Sequence, residues 1–112
     1  MKKDKLYLQH IEEAIEKIEK YTRGTDYSRF LADEMMTDAV VRQLGIIGEA
    51  ANRLSTKLQK SNPKIPFRDI VDMRNFLVHN YHEVEQKIVW DTCRKKLPEL
   101  KRFVNKSLKG IS

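Results

Sequence analysis

The amino-acid sequence predicts an all-α protein, an up-and-down bundle of four to five helices. Apolar residues recur at steps of three and four along almost the whole chain, which is the spacing of one helix face. Only four Gly and three Pro interrupt the 112 residues, and 34% of the residues are charged, which favours helices over a sandwich or a barrel. This length supports one modest core, so we expect a single helical domain over residues 1–112.

The first half of the chain predicts two helices. The first has one apolar stripe and ends at Gly24, a natural left-handed cap; the stripe consists of Leu8, Ile11, Ile15 and Ile18. After a connector over residues 26–33, the apolar pattern from Met36 to Leu58 predicts a central helix of about six turns. Gly45 and Gly48 inside it cost about 1 kcal/mol each relative to Ala, so we expect another backbone to approach closely there.

The second half predicts two more helices after a proline-containing loop. Residues 61–66 form the loop, because two prolines in four residues interrupt a helix on either side. A third helix follows from Phe67 to Val78. A last helix begins near Glu83 or Glu85 and extends to Leu108, with a kink expected at Pro98.

The net charge of +6 is concentrated at the end of the chain. From residue 94 onward there are seven basic residues and one acidic residue, whereas the first 93 residues contain 15 of each sign. A basic helix face attracts nucleic-acid phosphates or an acidic partner, and it can also be a solvated face with no ligand.

We expect the protein to be cytoplasmic and not to contact a membrane. The first ten residues, MKKDKLYLQH, lack the apolar run of a signal peptide, and no later stretch reaches the ~18 apolar residues of a membrane span. Cys93 is the only cysteine, so neither an intramolecular disulfide nor a cysteine-based zinc site can form within one chain. We interpret Cys93 as a packed apolar residue.

Arg74 occupies a position in the third helix where the pattern requires an apolar side chain. The stripe continues on both sides of it, with Phe67, Ile70 and Val71 before and Leu77 and Val78 after. A buried guanidinium cannot lose its charge, so it must be paired, lie at a subunit interface, or face an anionic ligand. Residue type alone leaves two interpretations open, a structural ion pair with Glu49 or Asp72 and a functional role.

His79 follows Arg74 at a spacing that one continuous helix does not bring to one atom. At 100° per residue, His79 lies about 140° around the axis from Arg74, whereas Tyr81 shares the face of Arg74. Either the helix ends near His79 and the chain turns, or the two residues meet across a dimer axis. We favour a combination of both.

Three segments in this order resemble the HEPN superfamily, specifically its HepT-like toxin branch. RNFLVHNY at residues 74–81 matches the pattern Arg-(x)4-His-x-Tyr, with Asn directly after the Arg. LGIIGEAANRL at residues 44–54 and IVWDT at residues 88–92 are also similar to that branch, so the resemblance covers most of the chain. Asp72 departs from the pattern, which has a small residue such as Gly there.

The resemblance implies a helical bundle that dimerises so that the two motifs face each other in one cleft. HEPN ribonucleases cut RNA without a metal or other cofactor, by attack of the neighbouring 2'-hydroxyl. The HepT-like branch is paired with an MNT-type nucleotidyltransferase antitoxin, which neutralises the toxin by binding and, in some systems, by attaching AMP to the motif tyrosine. That tyrosine corresponds to Tyr81.

The expected roles suit the residue types. An imidazole ordinarily titrates near cellular pH, so His79 can serve as general acid or base. Arg74 can donate two parallel hydrogen bonds to phosphoryl oxygens in the transition state. Asn75 and Tyr81 are supporting residues, Asn75 by orienting the cleft. The basic final helix is expected to hold the RNA backbone; the candidate RNA-binding residues are Arg94, Lys95, Lys101 and Arg102.

Two other interpretations compete with this one. His79, His82, Glu83 and Glu85 could suggest a metal site, but a catalytic zinc site requires a third well-placed ligand, so we predict no metal. The serious alternative is a non-catalytic helical subunit of a nucleotidyltransferase, which binds a nucleotide or RNA through Arg74. Such a subunit has no need of a histidine at this spacing, so the intact motif favours cleavage.

Overall fold

The computed structural model describes residues 2–79 and 86–111, and this part of the chain contains helices and no strand. The all-α fold class is therefore confirmed. The seven helices of the described ranges are α1 (Lys2–Thr22), α2 (Tyr27–Ala32), α3 (Glu34–Arg53), α4 (Thr56–Lys60), α5 (Phe67–His79), α6 (Gln86–Lys95) and α7 (Leu97–Ile111).

The predicted connector between the first two helices contains the short helix α2. Asp26 caps its start, because the Asp26 carboxylate accepts a hydrogen bond from the backbone N–H of Arg29 at 2.9 Å. Asp33 caps α3 in the same way, accepting from the backbone N–H of Met36 at 2.9 Å. Two capping aspartates seven residues apart thus start two successive helices. The prediction of a connector without a helix over residues 26–33 was therefore wrong.

The central helix ends at Arg53, about one turn earlier than predicted. Leu54 is extended (φ −63°, ψ 145°), and Ser55 caps the separate helix α4. The cause is a tertiary contact with the start of α1, because the Asp4 carboxylate accepts hydrogen bonds from Ser55 N–H at 2.8 Å and from Ser55 Oγ at 2.6 Å.

The predicted last helix is divided in two at Lys96, where we expected one helix kinked at Pro98. Pro98 is the second residue of α7. It has no N–H to donate, and the first turn of a helix is the place where this donor is not required. The proline therefore lies at a helix start in the structure.

Helix α1 is antiparallel to two of the other long helices of the bundle. The start of α1 bonds to Ser55 just after α3, and the start of α7 pairs with the end of α1 through Lys101 and Glu19, so each pair is antiparallel. Helix α3 packs against both α1 and α5. No helix of the described ranges has the length and apolarity needed to span a bilayer.

The core confirms the predicted first stripe and adds residues from the short helices. Leu8, Ile11, Ile15 and Ile18 are all at most 2% exposed, and the ring of Phe30 from α2 is fully buried. Gly24 has the positive φ of 70° expected of a left-handed cap. Cys93 packs against this core, and burial raises the pKa of its thiol to about 12, which agrees with the interpretation of a packed apolar residue.

Replacing Asp4 tests the contact that ends the central helix. Asp4 is only 6% exposed. Asp4→Ala would leave Ser55 N–H without its acceptor, so we expect the free energy of unfolding to fall by about 1–3 kcal/mol. Urea denaturation measures this, with Glu13→Ala at an exposed position of the same helix as control. Equal stability of the two variants would show that the Asp4 contact does not support the fold.

Candidate active site

Arg74 is placed by a close approach of α5 to α3 at Gly48. A Cβ built on Gly48 would overlap the Cβ of Arg74 and lie 2.8 Å from its Cγ and 3.2 Å from the carbonyl oxygen of Ile70. The close approach predicted at Gly48 is thus present, and it involves the helix that carries Arg74. At Gly45 the predicted close approach of another backbone is wrong for a single chain, because a Cβ built there meets no atom within 4 Å.

The Arg74 guanidinium is paired at the edge of the protein. Its Nη2 donates to Glu49 Oε2 at 2.5 Å and its Nη1 donates to Asn75 Oδ1 at 2.6 Å. Of the two ion-pair candidates, Glu49 is therefore the partner that the structure shows. The side chain of Arg74 remains 32% exposed, and these two bonds use two of its five N–H donors. The remaining donors are sufficient for an anionic ligand.

The Glu49 carboxylate is shared between two arginines. Its Oε1 accepts from Arg53 Nε at 3.1 Å, while its Oε2 accepts from Arg74. The hydrogen bond with Glu49 and the negative charge of that carboxylate raise the pKa of Arg53. Glu49 thus links the positions of two guanidinium groups, one on its own helix and one on α5.

Arg74 opens into a groove between α1 and α3. We call it the Arg74 groove; its lining residues are Tyr7, His10, Arg42, Gly45, Ile46, Glu49, Ala50, Arg53 and Arg74. Three arginines and one glutamate give this lining a formal charge of +2 with His10 neutral. A groove with this balance attracts phosphate groups.

Four residues of the groove, Tyr7, His10, Arg42 and Arg53, were not predicted as site residues from the sequence. The signal was present, because Arg42, Gly45, Glu49 and Arg53 follow one another at steps of three and four along α3. These α3 residues lie on the polar side of the helix, whereas the prediction used only the spacing of its apolar stripe.

The other motif residues are only partly described. His79 is the last residue of α5, so its backbone position lies about 140° around the helix axis from Arg74. Tyr81 lies outside the described residues, as do His82, Glu83 and Glu85 of the rejected metal site. Asn75 contacts Arg74 directly.

The candidate RNA-binding residues of the last two helices do not line the Arg74 groove. Arg94 donates from Nη2 to the carbonyl oxygen of Thr25 at 3.0 Å, and its guanidinium lies 4.3 Å from the ring centroid of Trp90. Lys101 pairs with Glu19 at 2.9 Å. Lys95 and Arg102 are exposed. Their role in binding RNA stays a prediction.

The all-helical bundle, with Arg74 paired on the helix that ends at His79, is compatible with the class of HEPN-type ribonucleases that the sequence resembles. Comparison with known proteins gives the family. A family model described as "Ribonuclease HepT-like" matches residues 11–107. The chain belongs to this family, which confirms the resemblance found from the motif segments.

Two curated relatives match over most of their length. A protein of Caldanaerobacter subterraneus subsp. tengcongensis named "Putative RNase" is 36% identical over 108 residues, which is 96% of each chain. A Thermococcus cleftensis protein named "Probable ribonuclease HepT" is 40% identical over 95 residues, covering 85% of this chain and 86% of its own. No solved structure matched the chain.

Proposed function

We propose that this chain is the toxin of a toxin–antitoxin pair, a metal-independent endoribonuclease that acts in the cytoplasm as a homodimer. One observation carries the proposal. The Arg74 guanidinium is held by Glu49 and Asn75 in a cationic groove, with donors left over, on the helix that ends at His79. Membership of the HepT-like ribonuclease family supports RNA as the substrate.

The proposed reaction is an internal transfer of the phosphoryl group. The 2'-oxygen attacks the adjacent phosphorus and the bond to the 5'-oxygen breaks, which leaves a 2',3'-cyclic phosphate and a 5'-hydroxyl. His79 takes the proton of the 2'-hydroxyl, and His79 of the second subunit gives a proton to the leaving 5'-oxygen. Arg74 donates hydrogen bonds to the phosphoryl oxygens, on which negative charge increases in the transition state.

The geometry of α5 supports a homodimer. The helix is continuous from Arg74 to His79, so the two Cα positions lie about 140° apart around its axis. A second copy of the motif helix across a two-fold axis would bring one subunit's His79 towards the other's Arg74. We propose α5 as the region near that axis.

The proposed antitoxin is an MNT-type nucleotidyltransferase that binds this chain. In the modification reaction, Tyr81 Oη attacks the α-phosphorus of ATP, loses its proton and displaces pyrophosphate, so that AMP remains on the tyrosine. The added phosphodiester carries a negative charge two residues after His79 and would compete with RNA for Arg74. Arg94, Lys95, Lys101 and Arg102 are proposed to contact RNA that flanks the cleavage site.

The test is cleavage of total RNA in the presence of EDTA by the wild type, His79→Ala and Arg74→Ala, each checked for folding and for the dimer. We expect the wild type to cut RNA and to leave 2',3'-cyclic phosphate ends, and both variants to leave the RNA largely uncut over the same reaction time. If the wild type leaves RNA intact and instead binds ATP or a nucleotidyltransferase through Arg74, the chain is a non-catalytic partner subunit and the proposal fails.

A further inference from the structure

We propose that the Arg74 groove binds single-stranded RNA on both sides of the phosphate held by Arg74. Arg42 and Arg53 contact flanking phosphates, and Tyr7 stacks on a base. This inference rests on the proposed ribonuclease function, because it assumes that Arg74 holds the phosphate that is cleaved.

The positions of the arginines along α3 suit a chain of phosphates. Arg42 and Arg53 are eleven residues apart, which corresponds to about 16 Å along the helix axis. Arg74 meets α3 between them, at Gly48 and Glu49. The Arg53 and Arg74 guanidinium groups lie side by side on the Glu49 carboxylate, whereas Arg42 lies seven residues before Glu49, about 10 Å along the axis of α3, and this distance exceeds what one phosphate group can contact.

The two flanking arginines, Arg42 and Arg53, differ in whether a carboxylate of the chain pairs with them. Arg42 is exposed, and no carboxylate pairs with it among the residues that the structure describes. Arg53 is paired with Glu49, its Nε donating to Glu49 Oε1 at 3.1 Å. Arg42 can therefore add a full positive charge to the groove, whereas Arg53 supplies donors that are already oriented.

The apolar part of the groove suits a nucleobase. Tyr7 is half-buried and packs edge to face against His10, with 6.1 Å between the ring centroids. Gly45 has no side chain and leaves open space between Arg42 and Glu49. Stacking of a base on an aromatic ring tolerates any sequence, so the groove predicts binding with little sequence preference.

A single strand fits this site better than a duplex. Stacking on Tyr7 requires a base that is not paired and stacked within an RNA duplex. RNA-binding proteins that stack bases on aromatic rings bind unpaired bases. The proposed attack by the 2'-hydroxyl also requires rotation about the sugar–phosphate bonds, which a regular duplex restricts.

The experiment measures binding separately from cleavage. The probe is a fluorescein-labelled ten-nucleotide 2'-O-methyl RNA, which has no 2'-hydroxyl to react, and the readout is fluorescence anisotropy in EDTA at several salt concentrations. The variants are Arg42→Ala, Tyr7→Leu and Tyr7→Phe in the full chain, with Arg23→Ala at an exposed position outside the groove as control.

We expect Arg42→Ala to weaken binding and to reduce the salt dependence of log Kd by about 0.7, the value for one phosphate contact with a single strand. We expect Tyr7→Leu to weaken binding about fivefold to a hundredfold without changing the salt dependence, and Tyr7→Phe to bind like the wild type. Arg23→Ala should bind like the wild type in affinity and in salt dependence.

Three outcomes would overturn the inference. The first is wild-type affinity in both Arg42→Ala and Tyr7→Leu, above all if Arg102→Ala weakens binding instead. The second is a change of oligomeric state in Arg42→Ala, which would place the groove at the subunit interface. The third is failure of the wild type to bind the probe. Failure of the ribonuclease proposal is distinct, because it would appear as intact natural RNA while the 2'-O-methyl probe still binds.

Discussion

Gly48→Ala is expected to lower the free energy of unfolding by about 1–3 kcal/mol and to reduce RNA cleavage at the same time. A methyl group at Gly48 would collide with the Cβ of Arg74, which cannot rotate away because it is bonded to the backbone of α5. Helix α5 must therefore move from α3, and the cost of such overpacking exceeds the gain of about 1 kcal/mol from replacing Gly by Ala in a helix. Thermal and urea unfolding measure the loss of stability, and the RNA cleavage assay measures the loss of activity.

Gly45→Ala is the matched control, since it makes the same change three residues earlier on the same helix. No atom lies within 4 Å of a Cβ at this position, so we expect the free energy of unfolding to rise by up to about 1 kcal/mol. A stable, fully active Gly48→Ala variant would contradict the close contact between the helices. Loss of the proposed homodimer in Gly45→Ala would instead indicate that a second chain packs on Gly45.

Arg74→Ala is expected to lower the rate of the chemical step about 100-fold to 1,000-fold, the usual effect of removing one donor to a developing negative charge. Arg74→Lys should recover little of this loss. A lysine retains the charge, but its ammonium cannot bond to Glu49 and Asn75 and present a planar pair of donors to a phosphate. The rate is measured in a single turnover with enzyme in excess, so that substrate binding does not limit it.

Arg68→Ala is the control for the arginine variants. Arg68 lies on the same helix, is exposed and does not line the groove. Its removal changes the net charge by the same amount, so it should leave the rate within about twofold if only Arg74 contacts the reacting phosphate. A similar loss in Arg68→Ala and Arg74→Ala would mean that general positive charge, and not the position of Arg74, supports cleavage.

Much of the fold was determined by patterns that act within one helix. The stripe from Leu8 to Ile18 is buried, Gly24 has positive φ, and the third helix begins at Phe67 after the proline-containing loop, as predicted. The motif was also recognisable, because Arg74 interrupts an apolar stripe and because three segments that resemble the HepT-like branch occur in the same order. These features depend on residues three to five positions apart, and such neighbours can be compared directly in a sequence.

Only the tertiary structure decided which residues surround Arg74. The choice of Glu49 over Asp72 depends on how closely α3 and α5 approach at Gly48, and the end of α3 depends on Asp4, which is 51 residues away along the chain. Tyr7 and Arg42 meet in one groove for the same reason. Helical periodicity determines which face of a helix is apolar, but it does not determine which other helix covers that face or how close the two backbones come. The partners of the motif arginine are therefore set by packing.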